Sequence, residues 1–144
     1  MYRHIAMKWA DELESGKHIQ GKELMHYRDT KSRETRKCCL GVLCSNVLNI
    51  SCRQIRDEHK SWIILYEYGS EGCLSGLPQE AIDKAGLWSS YGSFKPRKVL
   101  AAKEDGSLEK IERFAFSMSL ANMNDSGWSF PMIAKVIRDY YKDL

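Results

Sequence analysis

The chain has 144 residues, of which 43% are hydrophobic and 28% are charged, and its formal net charge is +3. A chain of this size buries enough surface to fold as one domain without disulfides or a structural metal. Its composition excludes disorder and low-complexity repeats. Its apolar runs are shorter than the roughly 20 residues of a membrane span, and residues 1–11 lack the apolar segment of a secretory signal. We therefore expect a single cytoplasmic domain over residues 1–144, with no membrane partner.

An amphipathic helix opens the chain. Ile5, Trp9 and Leu13 recur every four residues, while charged side chains take the other faces. Gly16 suits the left-handed position that follows a helix. The pattern predicts a helix over residues 2–15.

A basic segment follows, from residue 17 to residue 37. It holds seven basic and three acidic residues, a local charge of +4 in a chain whose other residues sum to −1. Its polar centre predicts a loop or an irregular hairpin, with strand candidates at residues 23–28 and 35–38.

The middle of the chain predicts two helices and one strong strand. Residues 39–48 are apolar on nearly every face, which is typical of a short buried helix. Residues 62–68 are rich in β-branched and aromatic side chains and form the best strand, to which 73–77 could add a second arm. The polar residues 51–61 predict a connection before that strand. Proline at the first turn opens a helix over 78–85.

The last third of the chain leaves one alternative open. Asp105-Gly106 is a turn signal between residues 99–103 and 108–116, although the second arm could equally be helical. The short side chains of 122–127 predict a turn, followed by a helix over 130–141.

These elements predict an α+β fold, a single compact domain with about four helices on a small, mostly antiparallel sheet centred on residues 62–68. The alternative is an all-α fold, which requires residues 108–123 to be helical. The expected core consists of ten apolar side chains. They are Trp9, Leu13, Leu40, Leu43, Val47, Ile64, Ile82, Phe130, Ile133 and Ile137.

The five cysteines contain no Cys-x-x-Cys pair. They are Cys38, Cys39, Cys44, Cys52 and Cys73. Adjacent Cys38 and Cys39 point in different directions on a helix or a strand, so they do not favour one zinc site or a redox pair. We interpret the cysteines as small apolar side chains of the core. The sequence predicts neither a metal nor a cofactor.

A catalytic cysteine is an alternative that the sequence leaves open. Cys38 or Cys73 supplies a possible nucleophile, and His26 or His59 a possible base. The strong signatures of enzyme families are absent from the sequence, which favours binding over catalysis.

Two segments carry residues suited to binding. The basic segment interleaves cations with His26 and Tyr27, a combination that attracts phosphates and stacks on bases. Residues 122–127 are of the types that present backbone donors or carboxylate oxygens to a ligand. A solvated loop and a structural turn are the respective alternatives. The candidate binding residues are Lys17, Gln20, Lys22, Tyr27, Arg28, Arg33, Arg36, Lys37, Asn124 and Asp125.

Several blocks of the sequence form a recognisable ordered set. They are Lys8-Trp9-Ala10, Gln20-Gly21-Lys22, Cys38-Cys39-Leu40-Gly41-Val42-Leu43-Cys44, Ala85-Gly86-Leu87 and Asn124-Asp125-Ser126-Gly127 with Ser129-Phe130 and Ile133-Ala134. The set resembles a family of small uncharacterised proteins of tailed bacteriophages and prophages, over most of the chain. The resemblance implies a phage origin, and small accessory phage proteins commonly act by binding.

The expected function is that of a non-enzymatic phage accessory protein in the cytoplasm of the infected host. It would bind and inhibit or redirect a host factor such as a defence protein. One alternative is a sponge that sequesters a cyclic or phosphorylated nucleotide signal. A nucleic-acid-binding protein and a small Cys/His-dependent enzyme are further alternatives, and the sequence leaves the oligomeric state open.

Overall fold

The computed structural model describes residues 1–102 and 107–144 of the chain. These residues form five α-helices. Four of them lie where the sequence predicts a helix, and the fifth overlaps the segment 122–127, for which the sequence predicts a turn. They are α1 (Arg3–Glu14), α2 (Cys39–Val42), α3 (Gln79–Ala85), α4 (Leu120–Asp125) and α5 (Phe130–Tyr140). A π-helical turn, Leu43–Val47, continues α2, and a 3₁₀ turn, Tyr141–Asp143, continues α5.

Two sheets are formed by the strands of the described residues. The strands are β1 (Ile19–Gln20), β2 (His26–Asp29), β3 (Thr35–Lys37), β4 (Cys52–Arg56), β5 (Ile63–Tyr68), β6 (Pro96–Ala102) and β7 (Leu108–Phe114). The first sheet has the order β1-β3-β2-β5-β4, in which only the β1–β3 pair is parallel, and β6 and β7 form an antiparallel pair. The α+β prediction is confirmed, and the all-α alternative is wrong because residues 108–114 form a strand.

The first sheet differs from the prediction at its centre and at its edge. Strand β2 occupies the middle position and β5 lies beside it. Strand β4 lies in the segment that we predicted as a polar connection, because an edge strand exposed to water needs few apolar residues. The predicted arm at residues 73–77 is reduced to Cys73, which exchanges two backbone hydrogen bonds of 2.9 Å with Tyr68. Beyond Cys73 the chain does not continue the pairing with β5. The Leu74 carbonyl accepts a hydrogen bond from the amide of Met25, which lies in the loop before β2.

The predicted turn over residues 122–127 is wrong, because most of it belongs to α4. Ser119 begins this helix, and its Oγ accepts a hydrogen bond from the Asn122 amide at 3.2 Å. Gly127 follows the helix with a φ of +92°, a conformation that favours glycine. The Asp105-Gly106 turn lies outside the described residues, although the strands on either side of it pair as expected.

The core lies between the long helices and the short α2 segment. Trp9 of α1 is fully buried, and its Nε1 donates to the Cys39 carbonyl at 2.9 Å. Helix α5 packs along α1 and is tied to it by Arg138, which bonds to Asp11 and Glu14 at 2.7 Å. These contacts join the two ends of the chain in one core.

Eight of the ten predicted core residues are buried, whereas Ile64 and Ile82 are half-buried. Leu65 takes the place expected of Ile64, with only 7% of its surface exposed. Successive residues of a strand point to opposite faces, so burying Leu65 places Ile64 on the other face of β5. That other face carries the site described below.

A close backbone contact at Gly41 leads to the first prediction. A Cβ atom at this position would lie 1.8 Å from the Met25 carbonyl oxygen. We expect Gly41→Ala to lower the free energy of unfolding by at least about 2 kcal/mol, because backbone on both sides must move. Urea unfolding measures the effect. Gly76→Ala is the matched control, since its Cβ meets only the movable ring of Tyr91 at 3.3 Å, and equal losses in both variants would contradict the prediction.

Candidate functional site

Strand alternation divides the basic segment between the two faces of the first sheet. Residues directly opposite each other on paired strands point to the same face. Tyr27 lies opposite Arg36, whereas Arg28 lies opposite Thr35 and His26 opposite Lys37. Tyr27 and Arg36 therefore share one face, and Arg28 and Lys37 lie on the other. The predicted residues of the segment do not converge on one surface.

The remaining cations of the segment lie outside the strands. Lys17 is exposed after the end of α1, and Lys22 is exposed in the loop before β2. Arg33 is exposed in the turn between β2 and β3, where its φ is +62°. Of the three, Lys22 lines a cavity of about 360 Å³ together with Tyr27, whereas Lys17 and Arg33 lie outside the strands.

The face that carries Tyr27 has its charges neutralised. Arg36 donates to Glu34 Oε2 at 2.7 Å, and this hydrogen bond raises the pKa of Arg36. Arg53 of β4 likewise pairs with Glu67 of β5. A surface with internally paired charges presents little net field to a ligand.

The opposite face, which we call the cationic face, is formed by two rows of side chains across β3, β2, β5 and β4. The first row is Lys37, His26, Tyr66 and Gln54, and the second row is Thr35, Arg28, Ile64 and Arg56. Arg28 and Arg56 flank Ile64 on the two strands that pair with β5. Both arginines are exposed, and within residues 1–102 and 107–144 neither guanidinium has a hydrogen-bond or ion-pair partner.

Lys37 and His26 join the cationic face to the helical body. Lys37 Nζ donates to Asn46 Oδ1 of the π-helical turn at 2.8 Å, and burial lowers its pKa. The His26 ring stacks on Tyr66 with centroids 3.8 Å apart, and its Nδ1 lies 2.7 Å from the Tyr68 hydroxyl. Burial and the nearby charge of Lys37 lower the pKa of His26 to about 4. The imidazole is therefore neutral near pH 7.

Gln20, Asn124 and Asp125 are brought together, but their polar atoms bond within the protein. The fully buried Asn124 accepts at Oδ1 from Cys39 N and Gln20 Nε2, at 3.2 and 3.0 Å. Its Nδ2 donates to the Gly21 carbonyl at 2.8 Å and to Asp125 at 3.1 Å. All the hydrogen-bonding positions of this carboxamide are thus used to hold β1, α2 and α4 together.

The interpretation of the cysteines as core side chains is confirmed for three of the five and is wrong for Cys52. Cys38, Cys39 and Cys44 are buried, and burial raises the pKa values of Cys39 and Cys44. Cys73 is half-buried and Cys52 is exposed on β4. In the part of the chain that the structure describes, no group of three or more His, Cys, Asp or Glu side chains is placed to hold a metal ion.

A second candidate surface, the aromatic surface, surrounds Phe116. It consists of Trp88, Phe114, Phe116, Trp128, Met132 and Tyr140. The Phe116 ring lies 5.0 Å from the buried Phe94 ring and packs edge-on against Tyr140 at 5.0 Å. Open cavities of about 400 and 330 Å³ lie on either side of Phe116. Both are lined mainly by apolar side chains.

Sequence reasoning missed both Arg56 and the aromatic surface. Arg56 lay in the segment predicted as a connection, and only recognition of β4 as the antiparallel neighbour of β5 would have placed it beside Ile64. The residues of the aromatic surface are scattered along the chain, so no sequence pattern links Trp88 to Met132. The structure alone brings them together.

The structure is an α+β domain with two candidate surfaces: a cationic sheet face, on which Arg28, Arg56 and Gln54 are exposed while His26 is buried, and a separate aromatic surface. Residues 1–141 match the model of a domain of unknown function, DUF8296, and the chain belongs to this family. Neither a curated protein nor a solved structure matches the chain. Among the described residues, the helices are too short or too polar to cross a membrane.

The bonding of Asn124 leads to a second prediction. Asn124→Ala leaves the Cys39 amide, the Gly21 carbonyl and Gln20 without their buried partner, so we expect the free energy of unfolding to fall by about 3 kcal/mol or more. Asn122→Ala on the exposed side of α4 is the control, with an expected loss below about 1 kcal/mol. Chemical denaturation of both variants tests this, and similar losses would refute it.

The lowered pKa of His26 leads to a third prediction. The unfolded chain takes up a proton near the ordinary value of 6.5, whereas the folded protein does so only near pH 4. The free energy of unfolding should therefore fall by about 3 kcal/mol as the pH is lowered from 6.5 to 4. Below pH 4, His26 is protonated in both states and contributes no further decrease. We expect His26→Phe to be less stable than the wild type at pH 7 and to show a smaller decrease toward pH 4. Equal pH dependence in both proteins would disprove the assignment.

Proposed function

We propose that the protein is a non-enzymatic accessory protein of a tailed bacteriophage that binds a host protein in the cytoplasm of the infected bacterium, and thereby inhibits or redirects it. The sequence blocks around Cys38–Cys44 and Asn124–Gly127 support the phage origin through their resemblance to phage and prophage proteins. The partner would be a host factor such as a defence protein.

The aromatic surface is the observation that carries this proposal. Its outer members are Trp88, Phe114 and Met132, which are 45%, 56% and 50% exposed. Contiguous apolar side chains of this size are costly to leave in water and mark interaction sites on soluble domains. Aromatic residues and methionine are also the types enriched where proteins meet. A protein partner that covers them removes this cost.

The surface also indicates the chemistry of the partner. The cavities on either side of Phe116 suit apolar side chains, so the partner should present an apolar segment. Lys98, Lys110 and Arg113 are exposed on the adjoining β6–β7 pair. Acidic residues at the rim of the partner would complement them and speed association.

The alternatives receive less support from the geometry. A nucleotide sponge built from the basic segment needs its cations on one surface, yet Arg36 and Arg28 point to opposite faces of the sheet. A Cys/His centre needs a histidine bonded to a thiol, yet His26 lies against Tyr68, and His59 is exposed with no hydrogen bond to a cysteine among the described residues. The nucleic-acid alternative depends on a different surface, the cationic face of the first sheet.

A charge placed on the aromatic surface tests the proposed function. We expect Met132→Glu to reduce recovery of the host partner from infected-cell lysate at least about tenfold, because a buried carboxylate would remain unpaired in the interface. Arg3→Glu is the control, since Arg3 is exposed on α1 and lines neither cavity beside Phe116.

Cross-linking identifies the surface in contact. A photo-reactive amino acid in place of Trp88 should capture the same partner that the wild type recovers in stoichiometric amount, whereas one in place of Arg3 should not. Recovery that is unchanged in Met132→Glu would rule out the aromatic surface. Repeated failure of the wild type to recover any stoichiometric partner would rule out the proposed function.

A further inference from the structure

We propose that the cationic face of the first sheet binds the phosphate backbone of a single-stranded nucleic acid. This site lies on β2, β3, β4 and β5 and shares no residue with the aromatic surface. The proposal therefore stands on observations independent of the proposed host-protein partner.

The first observation is the separation of charge between the two faces of the sheet. The strand positions on the cationic face include Arg28, Lys37 and Arg56 and no acidic residue. Asp29 and Glu67 lie on the opposite face, where Glu67 pairs with Arg53. Lys37 is affected by one carboxylate, Glu12 of α1, whose charge opposes the lowering of the Lys37 pKa and which is bonded to His18. On the cationic face, the positive charge without a hydrogen-bond or ion-pair partner among the described residues is therefore that of Arg28 and Arg56.

The second observation is the placement of the two free arginines. Arg28 and Arg56 lie on strands that both pair with β5, so their backbones are about 10 Å apart across the sheet. Ile64 separates them and keeps their side chains from competing for one anion. Each guanidinium offers a planar set of donors that fits a phosphate. Two such groups at this separation suit successive phosphates of an extended polymer.

The third observation is the neighbouring row of stacking and hydrogen-bonding groups. Tyr66 is half-buried and stacks on the neutral His26 ring, while Gln54 beside it is exposed. Aromatic rings next to a basic strip are the usual means of binding unpaired bases with little sequence preference. Gln54 and Thr35 add neutral donors and acceptors at the edges of the face.

The shape of the face selects among phosphate-bearing ligands. A mononucleotide is normally held in an enclosed pocket, whereas Arg28, Arg56 and Gln54 are exposed on the surface of the sheet. A DNA duplex is read by a helix or ribbon that enters a groove, whereas the residues of the cationic face lie within paired strands. Open sheets with basic and aromatic side chains are suited to single strands, whose bases are free to stack. RNA and DNA strands share this chemistry.

Fluorescence anisotropy with labelled oligonucleotides of about 12 nucleotides tests the proposal. The probes are mixed-sequence single-stranded DNA and RNA, the corresponding duplexes, and a polyglutamate peptide. We expect the wild type to bind the single strands and Arg28→Gln/Arg56→Gln to bind them at least about tenfold more weakly in low salt. The salt dependence of the logarithm of the affinity should also decrease by about 1.4, since each phosphate contact contributes about 0.7.

A charge-matched control separates a site from a general effect of net charge. Arg53→Gln/Lys84→Gln removes the same two charges from residues that are ion-paired elsewhere, and should bind like the wild type. Equal weakening by both double variants, or the absence of binding to either single strand, would overturn the proposal. The proposal would also be overturned if duplexes bound as tightly as single strands. It would be overturned equally if the loss of Arg28 and Arg56 weakened the binding of polyglutamate and not that of the oligonucleotides.

Discussion

The hydrogen bonds of Asn124 are the constraint on which the arrangement of this domain depends. One buried carboxamide joins segments that are 85 and 103 residues away in sequence, at Cys39 and Gly21. The bond to Cys39 fixes the start of α2, while those to Gly21 and Gln20 hold β1 beside β3. A buried polar group of this kind is stable only when every partner is present, so it specifies one relative placement of helix and sheet. The position of the cationic face follows from that placement.

Strand alternation then decides which charges can act together. The basic segment is one block in sequence, but β2 and β3 send Arg36 to a face with an acidic partner and Arg28 to a face without one. An arginine that the sequence places elsewhere, Arg56, joins Arg28 through β5. Net charge along a segment was therefore a poor guide to local field. The pairing of strands is what determines it.

The fold could be predicted from the sequence to the extent that each element carried its own signal. Helices α1 and α5 have amphipathic patterns that do not depend on their surroundings, and β5 has a strongly apolar composition. Strand β4 and helix α4 carried no such signal: the first is polar because it lies at an edge, and the second is six residues long and begins at Ser119. The candidate sites were harder to predict than the fold, because both sites depend on contacts between segments that are distant in sequence. Only tertiary structure brings Arg56 to Arg28, or Met132 to Trp88.

Helix α4 connects the two surfaces mechanically. Asn122 on its exposed side borders the cavity beside Trp88, and Asn124 two residues later is bonded to β1. Strand β1 pairs in turn with β3, which carries Lys37 of the cationic face. The buried hydrogen bonds of Asn124 and the β1–β3 pairing thus tie the helix that borders the cavity to the strand that carries Lys37. The fold therefore couples the placement of the two proposed binding surfaces through one buried carboxamide, so a change at Asn124 should disturb both.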